Sequence, residues 1–220
     1  MIYLDHASTS RPKPSEVLQE MSFYLDQIGA SPSRGGYDLA EAAYRLVQQV
    51  REKLADLLDV KEPDQISFTH NGTHAINIVL KGFLKEGDHV IISNFEHNAV
   101  VRPLHKLSLE NKVAYSIWNS NALGYFQLDE LESLIRPNTK LIVLNHASNV
   151  LGVLSPIKEA AEIAKRHNVS LLVDVAQTAG LFPVDFGQSA DYIAGTGHKS
   201  LLGPPGMGFL YAKNPDTLST

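Results

Sequence analysis

From Ile66 onward the chain repeats a short apolar run, a polar loop and an amphipathic stretch. The runs Ile66–Thr69, His89–Ser93, Val113–Trp118, Leu141–Leu144, Leu171–Val173, Tyr192–Ala194 and Gly208–Tyr211 are of strand length and predict seven strands. Leu141-Ile142-Val143-Leu144 and Leu171-Leu172-Val173 have no polar position, as expected of strands covered on both faces. Between the runs the apolar spacing changes to the helical period. It predicts helices over 75–84, 99–109 and 128–135, and one opened by Pro156 through Ala160, Ala161, Ile163 and Ala164. Upstream, Ile2–Leu4 is expected to form a short strand, and Ser15 to cap a helix carrying Val17, Leu18, Met21 and Leu25. Asp38 is expected to open a long helix to about Leu58, with Leu39, Ala42, Ala43, Leu46, Val50, Leu54, Leu57 and Leu58 along its inner face. The loop Ser31-Pro32-Ser33-Arg34-Gly35-Gly36 sets one charge among small residues, suiting an exposed turn or a site rim.

Alternating strands and helices predict an α/β domain: a mostly parallel seven-stranded sheet flanked by helices, with ligands bound beyond the carboxyl ends of the strands. Composition narrows the partners. The 19 basic and 24 acidic residues are mixed along the chain, with no basic stripe or arm, which argues against nucleic acid. There is no cysteine, so neither a disulfide nor a thiolate metal site is expected within these residues. Nothing resembles a signal peptide at Met1–His6, and no apolar run is long enough to span a bilayer, so a cytoplasmic, membrane-free protein is expected.

The strand ends carry the chemistry. Asn71-Gly72-Thr73 sits at a helix start, where free N–H groups and a hydroxyl suit an anion, although a plain helix cap explains the fragment as well. Asn94-Phe95-Glu96-His97-Asn98 follows the second strand and Asn145-His146-Ala147-Ser148-Asn149 the fourth; loop polarity alone accounts for either. Asp174 is harder to dismiss, because an ionised carboxylate ending a buried strand needs a cation or several donors. The sixth strand delivers Thr196, His198 and Lys199. For Gly197-His198-Lys199 alone an exposed turn is the simpler reading, yet a lysine desolvated there becomes a nucleophile or Schiff-base former. Taken together, a phosphate cradle, a stacking ring, a carboxylate and a lysine at successive strand ends are what pyridoxal phosphate (PLP) chemistry requires.

At these residues the chain resembles the class V aminotransferase-like family of fold-type I PLP enzymes, above all its cysteine desulfurase and selenocysteine lyase branch. The stretches that carry the resemblance are Tyr3-Leu4-Asp5-His6-Ala7, Asn71-Gly72-Thr73-His74-Ala75-Ile76-Asn77, Glu96-His97-Asn98-Ala99, Ser148-Asn149-Val150-Leu151-Gly152, Val173-Asp174-Val175-Ala176-Gln177 and Thr196-Gly197-His198-Lys199. The resemblance implies that Lys199 is the Schiff-base lysine and Asp174 the partner of the pyridine nitrogen. Gln177 would bond the phenolic oxygen, with Asn149 near the same edge. His97 would stack on the ring and assist proton transfer. Thr73, Thr196 and His198, with the Gly72 backbone, would hold the phosphate. Two positions depart from the family pattern: Asn71-Gly72 replaces the usual serine or glycine before the threonine, and His74 stands where Glu is common.

The implied activity is conversion of L-cysteine to alanine, with the sulfur passed to an enzyme thiol. Alternatives on the same cofactor are an aminotransferase, a racemase, a selenocysteine lyase or a β-eliminating lyase; a truncated module that binds cofactor without turnover is a further one. The implied partners are a second copy in a homodimer, or a chain supplying the C-terminal half, and a sulfur-acceptor protein. The expected division is residues 1–30 as an N-terminal segment packing on the small-domain side and 31–220 as the PLP-binding large domain. The C-terminal small domain, the nucleophilic cysteine and the substrate-binding arginine are expected outside this sequence.

Overall fold

The seven apolar runs are strands of a single sheet in a computed structural model that describes residues 2–32 and 35–219. They are β1 (Ile66–Thr69), β2 (Asp88–Ser93), β3 (Val113–Trp118), β4 (Thr139–Asn145), β5 (Ser170–Asp174), β6 (Tyr192–Thr196) and β7 (Gly208–Ala212). Their order across the sheet is β1-β7-β6-β5-β4-β2-β3. Five neighbours, β3 to β6, pair in parallel, whereas β7 is antiparallel to both β6 and β1, so the sheet is mixed.

The pleat sends successive residues to opposite faces, and both faces are covered. Ile142 and Leu144 pack with Ile91, Val173 and Ile193 against the end of α2 (Asp38–Leu57), α5 (Leu128–Ser133) and α6 (Ile157–Arg166). Their neighbours Leu141 and Val143 join Val90, Leu172 and Tyr192 under α3 (Gly72–Phe83) and α4 (Asn98–Leu109). This three-layer arrangement explains why the central strands read as unbroken apolar runs. No helix among the described residues is long and apolar enough to cross a membrane.

Several N-terminal expectations change. Ile2–Leu4 is not a strand; Ile2 and Leu4 are exposed and find no partner strand. The cap of α1 (Ser15–Phe23) is Pro14, and Ser15 Oγ bonds Glu16 instead of a helix N–H. None of the apolar side chains of α1 is buried, nor are those of the π-helical turn Tyr24–Ile28 that continues it. In α2, Leu54 and the small residues Ala40 and Ala43 face inward, while Leu39, Leu46 and Val50 stay exposed. The apolar period holds, but along the first half of α2 only the alanines Ala40 and Ala43 are buried, and the larger side chains Leu39 and Leu46 are left uncovered by the described residues. Ser33 and Arg34, the centre of the Gly-rich loop, lie outside the described residues.

Candidate active site

All nine residues singled out as binding or catalytic line one cavity of about 150 Å3 at the carboxyl ends of the parallel strands. At one end is the start of α3. Asn71 caps it, its Oδ1 accepting the His74 N–H at 2.8 Å, so the N–H groups of Gly72 and Thr73 stay available to an anion. This turn lies hard against the start of β7. A Cβ on Gly208 would come within 2.5 Å of the Asn71 backbone, so glycine there is a packing requirement. The Thr196 hydroxyl donates to the Met207 carbonyl at 3.1 Å, which ties the end of β6 to the approach of β7 and occupies its proton. As a phosphate ligand Thr196 would have to turn away from Met207.

The opposite end is charged. Asp174 closes β5 with its carboxyl buried; Oδ1 accepts the Ala176 N–H at 2.9 Å. Burial pushes its pKa up, opposed by that N–H and by the fields of Lys199 and His97. Lys199 stands half-buried across the cavity, and desolvation lowers its pKa while Asp174 works to raise it. Its ammonium is therefore easier to deprotonate than a surface lysine's. His97 caps α4, with Nδ1 accepting the Ala99 N–H at 3.0 Å, which leaves Nε2 as the nitrogen free to hold or pass a proton. Gln177 Nε2 donates to the Ala7 carbonyl at 2.9 Å.

The donor set matches PLP at both ends: unbonded helix N–H groups for a dianion, and a buried carboxylate with one backbone donor facing the place of a protonated ring nitrogen. Lys199 lies between, with its proton loosened by burial.

Two features had no counterpart in the sequence reading. The first is a clasp by the N-terminal segment. The His198 carbonyl accepts from Lys13 Nζ (2.6 Å), Thr9 Oγ1 (2.9 Å), Ser10 N (3.1 Å) and Ser10 Oγ (3.2 Å). Thr9 Oγ1 also lies 3.1 Å from His198 Nδ1. With Lys13 and Ser10 already on the carbonyl, Thr9 can turn its proton to Nδ1, leaving Nε2–H of His198 as a donor toward the cavity. Ser200 Oγ donates to the Gln177 carbonyl at 2.9 Å, so Lys199 is fixed on both sides. The second is Glu96, which lies behind the site with a sealed carboxyl oxygen. The stretch Tyr3–Ala7 was a signal for the first, since it carried part of the resemblance without a role. Glu96 likewise carried part of the resemblance, in Glu96-His97-Asn98-Ala99, without a role of its own.

Residues 2–218 match the family model for class-V aminotransferases. Among curated proteins, a probable cysteine desulfurase of Methanothermobacter thermautotrophicus is 37% identical over 212 residues, covering 96% of this chain and 52% of that protein. Among solved structures, the apo cysteine desulfurase of Thermococcus onnurineus NA1 superposes with a TM-score of 0.91 at 31% identity, covering 99% of this chain and 55% of that one. The structure of SspA in complex with cysteine gives 0.91 at 30% identity, covering 99% and 63%. The chain thus spans about half the length of the curated relatives it matches. With a match over nearly its whole length, and strand-end residues gathered as described, the chain belongs to the class-V aminotransferase family.

Proposed function

We propose that this protein holds pyridoxal phosphate covalently through Lys199 and performs the cofactor-dependent steps of a cysteine desulfurase. The observation that carries the reading is the convergence of Lys199, Asp174 and His97 on one cavity, with the free N–H groups of α3 at its far end. The relatives named cysteine desulfurases and the cysteine complex of SspA support cysteine as substrate. When bound, the cofactor supplies an aldehyde for amine capture and a ring that accepts electron density from a bond at the substrate α-carbon.

The remaining work falls to side chains. Gly72 and Thr73 N–H groups would anchor the phosphate, with His198 as a further donor from the same cavity. Asp174, where the Ala176 N–H, Lys199 and His97 oppose the upward push of burial, would hold a proton on the ring nitrogen, whose own positive charge would favour the carboxylate. Gln177 and Asn149 would hold another edge of the cofactor, and His97, whose Nδ1 is engaged by the Ala99 N–H, would stack on the ring. Lys199, once released, is the base at the α-carbon, a role its burial prepares. Final sulfur capture needs a thiol, which these 220 residues do not supply. A second chain also belongs to the proposal, as another copy or as the C-terminal half. Support comes from the apolar residues Leu18, Phe23, Leu25, Leu39 and Leu46, which the described residues leave exposed.

The test is incubation with PLP, borohydride reduction and peptide mapping. A visible absorption band and a reduced adduct on Lys199 are expected, both lost in Lys199→Ala. A colourless wild-type protein, or an adduct spread over surface lysines, would refute the assignment. Given cysteine, the chain alone should exchange the α-proton without releasing sulfide at an enzymatic rate; pyruvate formation would point instead to a β-eliminating lyase.

A further inference from the structure

Glu96 has no part in the chemistry above, yet its carboxyl holds a buried oxygen that no donor reaches. Part of the residue is exposed, but Oε2 is sealed from solvent and has no hydrogen-bond partner. Both donors converge on the other oxygen: Ser93 Oγ at 2.6 Å and the Asn145 N–H at 2.8 Å. A carboxylate divides its charge between two oxygens, so an ionised Glu96 would leave half of it without a donor or water. A carboxylic acid suits the same geometry, with Oε1 as the carbonyl facing two donors and the proton on Oε2.

The position matters as much as the protonation. Ser93 ends β2 and Asn145 ends β4, so the carboxyl bridges two strand ends. Asn145 is in turn paired with Asp174 across β4 and β5, its side chain donates to the Phe95 carbonyl, and His97 follows Glu96 directly. One buried group therefore joins the backbone that carries His97 to the backbone that carries Asp174.

We propose that Glu96 is a positioning residue held as the neutral acid, bracing the ends of β2 and β4 and leaving Asp174 as the one carboxylate charge beneath the cavity. Asp174 is the charged group whose field reaches Glu96 from the neighbouring strand, and two anions enclosed there would compete for a single negative charge. Lys199, His97 and the Ala176 N–H favour the charge on Asp174. Glu96 has only neutral donors, and burial pushes its pKa up to about 8. The consequence for the ring nitrogen rests on the cofactor reading; the state of Glu96 itself does not.

The test uses the full 220-residue chain without cofactor. A group protonated in the folded protein but ionised in the unfolded chain weakens folding as pH rises between its two pKa values. Measured by urea unfolding against Glu96→Gln, the wild-type folding constant should fall about tenfold per pH unit from roughly pH 5 to 8, then run parallel to the variant. In protein labelled with 13C at the glutamate carboxyl, one resonance should titrate near pH 8 and be missing from Glu96→Gln. Glu96→Gln should keep wild-type stability near pH 5, whereas Glu96→Ala, which leaves Ser93 and Asn145 without an acceptor, should be clearly less stable. Parallel pH curves, or a Glu96 resonance titrating below pH 5, would overturn the neutral acid. Equal stability of the Ala and Gln variants would overturn the brace. Each result stands whether or not Lys199 binds PLP.

Discussion

Replacing Asp174 by Asn keeps the shape of the end of β5 and removes its charge. The Ala176 N–H still finds an acceptor, but nothing remains to hold a proton on a ring nitrogen. Asp174→Asn should still bind PLP, with its rate of α-proton exchange on cysteine lowered roughly 10²- to 10³-fold, as for loss of one preorganised electrostatic partner. Exchange at the wild-type rate, followed by NMR in deuterated water, would contradict the role. Asn71→Ala addresses the other end. Losing the cap on His74 should cost about 1 kcal/mol of stability and weaken PLP binding, read by urea titration and by absorbance. Both residues were legible before the fold was seen, because strand-ending polar groups stand out against apolar runs. Glu96 was not, because its signal is enclosure. In sequence it is one more acid in a polar loop, and only the convergence of Ser93 and Asn145 on Oε1 distinguishes it.

At the level of elements, β4, β5 and β6 were legible because burial on both faces leaves their central positions apolar, with polar residues only toward the ends. The N-terminal segment was not. Its bonds to His198 join residues 185 to 189 positions apart, and no local pattern encodes such a pairing. The misreading of Ile2–Leu4 has a similar origin, because an apolar run specifies a strand only where a neighbour offers a ladder. The clasp predicts that Lys13→Met, which keeps the stem and loses the charge-assisted bond, loosens the Lys199 loop. Faster amide exchange over residues 197–203 and a stability loss of about 1 kcal/mol are expected, less than for a buried charged bond because Lys13 is partly exposed. Unchanged exchange in that loop would show that the contacts of Thr9 and Ser10 suffice.

At the scale of the whole molecule, His89 and Glu96 tilt stability with pH in opposite senses. His89 is sealed within the sheet, with Nδ1 2.8 Å from Thr139 Oγ1 and Nε2 2.9 Å from Ser116 Oγ. Burial first, and Arg136 second, bring its pKa down from 6.5 to about 4. The unfolded chain therefore takes up a proton that the folded protein refuses, and stability falls as pH drops from 6.5 toward 4, by up to about 1.4 kcal/mol per pH unit. Glu96 acts the other way between 4.5 and about 8, so the two slopes oppose each other between pH 4.5 and 6.5, and of the pair only that of Glu96 continues above. His89→Gln should flatten the acid limb in urea unfolding between pH 4 and 6.5; an unaltered limb would exclude His89 as its source. The reversal of β7 has a practical corollary. It carries the chain away from the cavity, and Ser219 ends bonded to the Gly82 carbonyl, ten residues along α3 from Gly72, about 15 Å from the anion end. A fluorophore attached at residue 219 would sit clear of bound ligand and report on folding alone.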